Sequence, residues 1–233
     1  KFFFSTGHER QRDISRLLDE KLLDTLQSKA DIEDRTRLVA IRQDHASSWV
    51  SALPEKGLSI PGDEFGALVR LRLGVPFASS SSQCISCAKD MDVRGYHALL
   101  CASGGDRVIR HNAVRDWSFR LCREALLNPV LEKPGLVDGT KKRPADVFVP
   151  LFKGRPLAID AVVYSPIQQK FLGTDPLTAA SAAESDKRRA HGNECIDRRI
   201  QYLPFAVESL GGFGKAASAF ISEVTETIAQ RSS

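Results

Sequence analysis

Apolar residues recur at helical spacing along the first third of the chain. Over residues 10–29 they mostly stand three or four positions apart with charged residues between them, a pattern that predicts an amphipathic helix. A second helix is predicted over 31–50 with Asp31 as its N-cap, and a third over 63–73 with Asp63 as its N-cap. The apolar stripe of the first helix consists of Ile14, Leu17, Leu18, Leu22 and Leu26.

From residue 104 onward the spacing changes and short apolar runs appear. The segment 104–127 predicts a long helix, and the runs after it are rich in β-branched and aromatic residues, which favours strands. Strands are predicted near 129–137, 145–151, 156–163 and 201–209, and helices over 179–197 and 215–230. The order of helix, three strands, helix, strand and helix predicts a mixed α/β layer fold.

The length and composition are those of a globular chain. Its 233 residues can bury one sizeable core, or one core and a small satellite, and 42% hydrophobic with 27% charged residues is ordinary for a soluble protein. The chain has no run of about eighteen apolar residues, which a membrane span would require. Its first apolar stretch is too short for a signal peptide. Because Lys1 is not preceded by an initiator Met, we expect the chain to be part of a longer protein or the product of an incomplete gene model.

The charge is mildly basic. A net charge of +4 permits nucleic-acid binding without requiring it. Basic residues nevertheless cluster, and for any single cluster the simpler interpretation is a solvated helix face or loop. The clusters are Arg107, Arg110, Arg115, Arg120 and Arg123; Lys141, Lys142 and Arg143; and Lys187, Arg188 and Arg189.

Five cysteines, an odd number without a secretory signal, favour a reducing compartment. The segment CISCAKDMDVRGYHALLC has the spacing C-x2-C-x9-H-x3-C, in which a tight turn and a helical turn each supply two ligands. Four soft ligands predict a closed, structural zinc site; the alternative is a chance grouping of buried cysteines beside a surface histidine. The predicted ligands are Cys84, Cys87, His97 and Cys101, and the predicted core cysteines are Cys122 and Cys195.

Two aspartates interrupt predicted strands in the run RPADVFVPLFKGRPLAID. A carboxylate at Asp146 or Asp160 is costly inside a strand unless it is paired or binds a metal. If the two strands are neighbours, the carboxylates converge and suit a Mg²⁺ ion that activates water for phosphodiester cleavage. The alternative, on spacing alone equally open, is that both aspartates lie at strand ends and face water.

Several segments together resemble the C-terminal region of non-LTR retrotransposon reverse transcriptases that carry a restriction-like endonuclease. RPAD, followed after thirteen residues by Asp160, resembles the PD-(D/E)XK nuclease motif. The resemblance covers residues 64–225, and its most specific parts are the cysteine cluster followed closely by RHN and then RPAD. The other matching segments are RLRLGVPF, GYHALLC, GGDRVIRHNAVRDW, PLAIDAVVYSP, AAESDKRR and PFAVESLGGFG.

The resemblance implies an α/β fold with a PD-(D/E)XK restriction-endonuclease-like core of order α-β-β-β-α-β, preceded by a helical segment and a small zinc knuckle. The implied division is a helical N-terminal segment or linker at 1–78, a CCHC zinc knuckle at 79–104 and the endonuclease domain at 105–233. The implied function is Mg²⁺-dependent nicking of double-stranded target DNA, which supplies the 3′ end that primes reverse transcription.

Carried over residue by residue, the resemblance implies that Asp146 and Asp160 hold catalytic Mg²⁺ and that the four Cys and His residues hold structural Zn²⁺. Arg110 and His111 match the family's Arg-His pair, with an implied contact to DNA or to the active site. The residues expected to bind DNA are Arg110, His111, Arg115 and Arg143.

The lysine of the motif departs from the family pattern. It should stand two residues after Asp160, where this chain has Val162, and Lys187 on the following predicted helix matches instead. The family often has Lys-Tyr shortly afterwards, where this chain has Ala190 and His191. Either Lys187 suffices as the catalytic lysine, a neighbouring arginine substitutes for it, or the enzyme is degenerate.

The resemblance also implies partners and a location. Expected partners are double-stranded DNA, the element's RNA and an upstream polymerase domain in the same polyprotein, in an intracellular and, in a eukaryote, nuclear location. Two alternatives stay open, a nucleic-acid-binding module that has lost catalysis and a decayed gene fragment that folds without a specific role. Glu124 is either a third active-site acid or a solvated helix charge, and Glu208 is expected to be structural.

Overall fold

A computed structural model of the chain describes residues 7–52, 59–136 and 145–232; the fold is mixed α/β with a small sheet. The helices are α1 (Gly7–Lys29), α2 (Ile32–Ala40), α3 (Gly62–Leu73), α4 (Tyr96–Leu100), α5 (Asp106–Glu124), α6 (Thr178–Lys187), α7 (Asn193–Ile196) and α8 (Lys215–Ser232). The strands are β1 (Ser82–Gln83), β2 (Asp90–Met91), β3 (Val130–Leu131), β4 (Val147–Phe152), β5 (Arg155–Tyr164) and β6 (Gln201–Glu208). From α5 onward the observed order of elements matches the predicted order.

The N-terminal helices follow the predicted pattern with two corrections at their ends. Asp31 caps α2 as predicted, because its carboxylate accepts a backbone N–H of the first turn at 2.8 Å. The predicted C-terminus of this helix is wrong: α2 ends at Ala40, and His45 has a φ of 66° that an α-helix excludes. The N-cap of α3 is Pro61, so Asp63 lies instead in the first turn, where its charge still suits the helix dipole.

A polar network attaches α2 to the segment that carries the predicted zinc ligands. The carboxylate of Asp34 accepts the Tyr96 hydroxyl at 2.9 Å and pairs with Arg37 at 3.1 Å and Arg94 at 3.4 Å. Arg94 also pairs with Asp31 at 2.7 Å. The buried ring of Tyr96 lies in an apolar cluster with residues of α2 and of loops beside the larger sheet. In contrast, the side chains of the α1 apolar stripe are 57–62% exposed.

The larger sheet has the strand order β3-β4-β5-β6, antiparallel across the first three strands and parallel between β5 and β6. β4 and β5 form a hairpin whose two turn residues, Lys153 and Gly154, have φ values of 50° and 79°. Positive φ at both central positions matches a type I′ turn, whose twist suits the flanking strands. The segments that bear Asp146 and Asp160 are therefore neighbours, as a shared metal site requires.

Alternation along β5 divides its side chains between the two faces of the sheet. Leu157 lies in the core cluster that α5 and α8 cover, whereas Ala158 lies in a second cluster with Cys195. Because side chains alternate, Asp160 shares the face of Ala158, on the side of α6 and α7. Cys122 and Cys195 are 0% and 1% exposed, which confirms the prediction that both are core residues.

The segment predicted as one helix over 179–197 is a helical run interrupted by a π-helical turn. α6 is followed by the π-helix Arg188–Gly192 and then by α7. A π turn widens the helix locally, redirects the side chains that follow it and often occurs beside a functional site. Lys187, the last residue of α6, lies immediately before this turn.

Glu208, the last residue of β6, is structural, as predicted. It is 2% exposed, and its carboxylate accepts the backbone N–H of Ala180 in the first turn of α6 at 3.1 Å. Burial raises the pKa of Glu208, and backbone hydrogen bonds from Ala180 and Ala179 oppose that shift. Glu208 thus caps the start of the helix whose other end is Lys187.

Two substitutions separate the hydrogen bonding of Glu208 from its charge. Glu208→Ala leaves buried N–H groups of α6 without an acceptor and should lower the free energy of unfolding by about 1–3 kcal/mol. Glu208→Gln keeps an acceptor but cannot ionise. Because the folded pKa of Glu208 is raised, wild-type stability declines as pH rises from the ordinary glutamate pKa of 4.5 through the folded pKa.

Urea denaturation measures this difference between the two proteins. The free energy of unfolding of Glu208→Gln, relative to wild type, should increase between about pH 5 and about pH 8. A difference that is constant over this range would contradict the assignment of a buried, destabilised carboxylate at Glu208.

Candidate functional site

The four predicted zinc ligands converge. Their ligand atoms, one from each of Cys84, Cys87, His97 and Cys101, all lie within 4.8 Å of one another. Cys84 Sγ and Cys101 Sγ are 3.9 Å apart, and Cys87 Sγ and His97 Nε2 are 3.2 Å apart. Tetrahedral zinc with bonds of about 2.0–2.3 Å separates its ligand atoms by roughly 3.3–3.8 Å. The Cys₃His cluster could therefore hold a metal such as zinc.

Two short elements deliver these ligands. The paired strands β1 and β2 flank the turn that carries Cys84 and Cys87. The other two ligands come from α4 and its C-cap, and the N-cap of this helix is Gly95. The Asp92 carboxylate accepts the backbone N–H of Tyr96 at 3.0 Å and of His97 at 2.7 Å. These bonds fix the helix end from which the histidine ligand projects.

Cys84 is in an environment that favours the thiolate. Hydrogen bonds from the backbone N–H groups of Ser86 and Cys87 lower the pKa of Cys84 to about 6, against the opposing effect of burial. Zinc binds the thiolate form of cysteine. The turn between Cys84 and Cys87 therefore prepares the first of these residues for metal binding at neutral pH.

Asp146 and Asp160 lie side by side on neighbouring segments. Asp146, immediately before β4, donates its backbone N–H to the carbonyl of Ile159 at 2.9 Å. Its Oδ2 accepts the backbone N–H of Ala161 at 2.7 Å. These two bonds flank Asp160 in β5, so the two carboxyl groups are adjacent. Asp160 is 5% exposed, which excludes the alternative that both aspartates face water at strand ends.

Two donors hold the carboxylate of Asp160. Lys187 Nζ lies 2.7 Å from Oδ1, and the Tyr202 hydroxyl donates to Oδ2 at 2.5 Å, within the range of charge-assisted hydrogen bonds. The lysine comes from the end of α6 and the tyrosine from β6. Val162, at the usual position of the motif lysine, instead packs against an alanine-rich cluster that includes residues of α6. The helix thus brings Lys187 to the acid pair, and its catalytic role stays a prediction.

His111, on α5, holds the other carboxylate. His111 Nε2 lies 3.3 Å from Asp146 Oδ1. The hydrogen bond with Asp146 raises the pKa of His111, although burial and the charge of Lys187 oppose the shift. The resemblance left two roles for this residue, contact with DNA or with the active site. Its position in the structure is beside the acid pair.

The two carboxyl groups have unequal surroundings. Burial raises the pKa of Asp160, and although Lys187 and Tyr202 oppose that shift, the charge of Asp146 adds to it. Burial acts in the same direction on Asp146, but His111, the backbone N–H of Ala161 and the charge of Lys187 together outweigh it, so the pKa of Asp146 is lowered. Adjacent carboxyl groups with pKa values pushed apart are common in functional sites and also occur in structural ion pairs.

A cleft of about 460 Å³ opens beside the acid pair. Arg107, Arg110, His111 and Lys187 are among its lining residues, and none of the described residues that line it is Asp or Glu. The cleft therefore presents basic side chains next to the two carboxylates. Such a combination suits a ligand that carries phosphate groups.

The other predicted site residues have different surroundings. Arg110 donates to two carbonyl oxygens at the C-terminal end of α4, each at 3.3 Å, and so joins the zinc-ligand segment to α5. Arg115 pairs with Asp116 and Glu132, both at 2.8 Å. Arg143 lies outside the described residues. DNA binding by these three arginines stays a prediction.

Glu124, the candidate third acid, does not join the acid pair. It is exposed at the C-terminal end of α5, whereas His111 lies near the N-terminal end. Thirteen helical residues separate the two positions by about 20 Å along the axis. Its surroundings match the alternative of a solvated helix charge.

Sequence reasoning missed Tyr202 and Asp92. Asp92 had a weak local signal, because aspartate side chains often accept nearby backbone N–H groups, but it stands three positions before the N-cap Gly95. Tyr202 had none, since it is one polar-tipped aromatic residue in an alternating strand pattern. Its partner Asp160 is 42 positions away and is reached only through the pairing of β5 with β6.

Comparison with known proteins adds no relatives to this picture. No protein-family model matches the chain, and no curated protein matches it. Among the described residues, no helix is long and apolar enough to cross a membrane.

The zinc-ligand cluster is expected to bind one zinc ion per chain. Cys101→Ala removes a ligand and should reduce the zinc retained after dialysis to below about a tenth of wild type, with a lower melting temperature. Cys122→Ala is the matched control, because Cys122 is 0% exposed and lies outside the cluster. This control should keep its zinc while losing about 1–2 kcal/mol of stability. Mass spectrometry measures the zinc content of each variant. Equal zinc in both variants would contradict the assignment of the zinc site.

Proposed function

We propose that this chain is a metal-dependent DNA endonuclease with a PD-(D/E)XK restriction-endonuclease-like core, from the C-terminal region of a non-LTR retrotransposon reverse transcriptase. The observation that carries the proposal is the meeting of Asp146, Asp160 and Lys187. They come from the residue before β4, the middle of β5 and the end of α6. The resemblance assigns the active site to these same three residues, although they are distant in sequence.

The acid pair fits a divalent cation that prefers oxygen ligands. Each of the four carboxylate oxygens contacts one protein donor, which leaves each oxygen a further lone pair. Mg²⁺ is commonly held by one or two carboxylates, with water and phosphate oxygens completing its coordination. When bound between Asp146 and Asp160, it would supply Lewis-acid activation of the water and of the phosphate.

The residues of the chain orient the site and supply positive charge. Lys187 places an ammonium group beside Asp160, where it can stabilise negative charge that develops on a phosphate. His111 holds Asp146 in place from α5. Hydrolysis adds water to phosphorus and breaks the bond to O3′, and the departing oxygen takes up a proton. The products are a 5′-phosphate and a 3′-hydroxyl, the end that a polymerase can extend.

The basic cleft is the proposed path of the DNA backbone. Arg107 and Arg110 line it beside Lys187, and contacts of such residues to phosphates position a duplex without reading its sequence. The Cys₃His cluster lies next to this cleft through the bonds from Arg110 to α4 and has a structural role. In the parent element, an upstream polymerase domain would use the nick to copy the element's RNA, in the nucleus of a eukaryotic host.

Nicking of a supercoiled plasmid tests the acid pair and the lysine. With Mg²⁺ present, Asp146→Asn, Asp160→Asn and Lys187→Ala should each reduce the nicking rate about a hundredfold or more. Omission of Mg²⁺ should stop wild-type nicking. The matched controls Asp197→Asn and Lys215→Ala change exposed residues outside the cleft and should nick at the wild-type rate. If Asp160→Asn nicks as fast as wild type, the proposed chemistry is wrong.

Duplex binding without Mg²⁺ tests the cleft separately from catalysis. Arg107→Ala should weaken binding about five- to tenfold and reduce the slope of log K against log salt concentration by about one. Arg123→Ala is the control, since Arg123 is exposed at the other end of the same helix. Fluorescence anisotropy over a salt series measures the affinity and its salt dependence. An equal loss of affinity in the two variants would contradict a specific role for the cleft.

A nucleic-acid-binding module without catalysis is the second candidate, and one observation favours it. Both carboxylates are already held by protein donors, with Lys187 and His111 beside them. A buried cluster of paired charges can persist as a structural feature without an added cation. Duplex binding that falls with salt, together with wild-type protein that never nicks in Mg²⁺, would support this candidate against the endonuclease.

A further inference from the structure

We infer that Tyr202 is a positioning residue for Asp160, which it orients for binding a divalent cation; this inference rests on the proposed function. The Tyr202 hydroxyl donates to Asp160 Oδ2, while Lys187 contacts Oδ1. The torsion that rotates an aspartate carboxylate is broad and only weakly restricted by itself. Donors on separate oxygens therefore fix the plane of the carboxylate, and with it the direction of its free lone pairs.

The parallel pairing of β5 with β6 makes this contact possible. Ala158 is opposite Tyr202, and Asp160 is opposite Pro204. Side chains two residues apart on one strand share a face, so Tyr202 is the diagonal neighbour of Asp160 on the same side of the sheet. A tyrosine is long enough to cover that diagonal distance.

The ring of Tyr202 is held in place independently of its hydroxyl. It packs against the buried cluster that includes Phe148 and Cys195. The His191 ring also lies against it, edge to face, with centroids 6.4 Å apart. The hydroxyl therefore reaches Asp160 from a fixed base, and removal of the hydroxyl alone leaves the ring packing intact.

Lys187 and Tyr202 have different roles at Asp160. Lys187 lines the cleft and is partly exposed, so it is available to a substrate phosphate. Tyr202 is not among the residues lining this cleft. When Lys187 turns towards a phosphate, Tyr202 remains as the donor that keeps the carboxylate oriented. Residues that hydrogen-bond to a metal ligand commonly change the metal affinity by a factor of about 10–100.

The chain contains its own control for this role. All three of its tyrosines donate to an aspartate: Tyr96 to Asp34 at 2.9 Å, Tyr164 to Asp186 at 2.8 Å, and Tyr202 to Asp160 at 2.5 Å. Of these aspartates, only Asp160 lies beside the carboxyl group of Asp146. Tyr96→Phe therefore removes the same atom from the same kind of pair, at a residue that does not line the cleft and whose hydroxyl binds Asp34.

The experiment measures Mn²⁺ binding to zinc-loaded protein by electron paramagnetic resonance, in which only free Mn²⁺ gives the sharp signal. Wild type should bind one Mn²⁺ that Asp160→Asn does not bind. Tyr202→Phe should bind it about 10- to 100-fold more weakly, and Tyr96→Phe should bind it as wild type does. In nicking assays, Tyr202→Phe should need correspondingly more Mg²⁺ for half-maximal rate, with most of the rate restored at saturation. Melting temperatures verify that both variants are folded.

The outcomes separate this inference from the proposed function. If wild type binds Mn²⁺ and nicks DNA, and Tyr202→Phe has unchanged Mn²⁺ affinity, the positioning role is wrong while the endonuclease stands. If Tyr96→Phe weakens Mn²⁺ binding as much as Tyr202→Phe, the effect is general destabilisation and the role is also wrong. If wild type neither binds Mn²⁺ at Asp160 nor nicks, both proposals fail together.

Discussion

The buried charge of Asp160 is the constraint on which the rest of the structure depends. A carboxylate that is 5% exposed inside a sheet is costly unless donors surround it. The chain supplies them from separate elements, because α6 ends at Lys187 and β6 places Tyr202 within reach. A shift of α6 or of β6 by one residue would remove a donor. The cap that Glu208 provides at the start of α6 therefore helps to maintain the position of Lys187 at its end.

The Cys₃His cluster provides a second, independent constraint. Its segment consists of two-residue strands and one short helix, so a bound metal would replace the core that these elements are too small to build. Two arginines connect it to the rest of the molecule: Arg94 pairs with α2, and Arg110 donates to the end of α4 from α5. Since His111 follows Arg110 on α5, the Cys₃His cluster and the acid pair are anchored to the same stretch of helix.

The two candidate functions depend on the same arrangement of residues. They differ in the groups with which the carboxylates of Asp146 and Asp160 are paired. In both, basic residues that line the cleft would contact a phosphate backbone beside Asp146 and Asp160. In the proposed endonuclease, Asp146 and Asp160 would hold a divalent cation, and Lys187 would be available to the substrate phosphate. In the binding module, the existing pairs of Asp160 with Lys187 and of Asp146 with His111 persist. The two proposals therefore differ in whether a divalent ion competes successfully with these two pairs.

Periodicity and spacing in the sequence determined which elements form, because a helical stripe or an alternating strand depends on residues only a few positions apart. They sufficed for α5, for the existence of the strands β4 and β5 and for the spacing of the zinc ligands, but left the pairing of these strands open and failed at the end of α2. The resemblance to nucleases singled out Lys187 beside the two aspartates. Only the tertiary structure decided that Tyr202 joins Asp160 and that Arg110 contacts α4. Alternation determines the face on which a side chain lies, whereas its neighbour depends on strand register and helix packing, which distant residues set together.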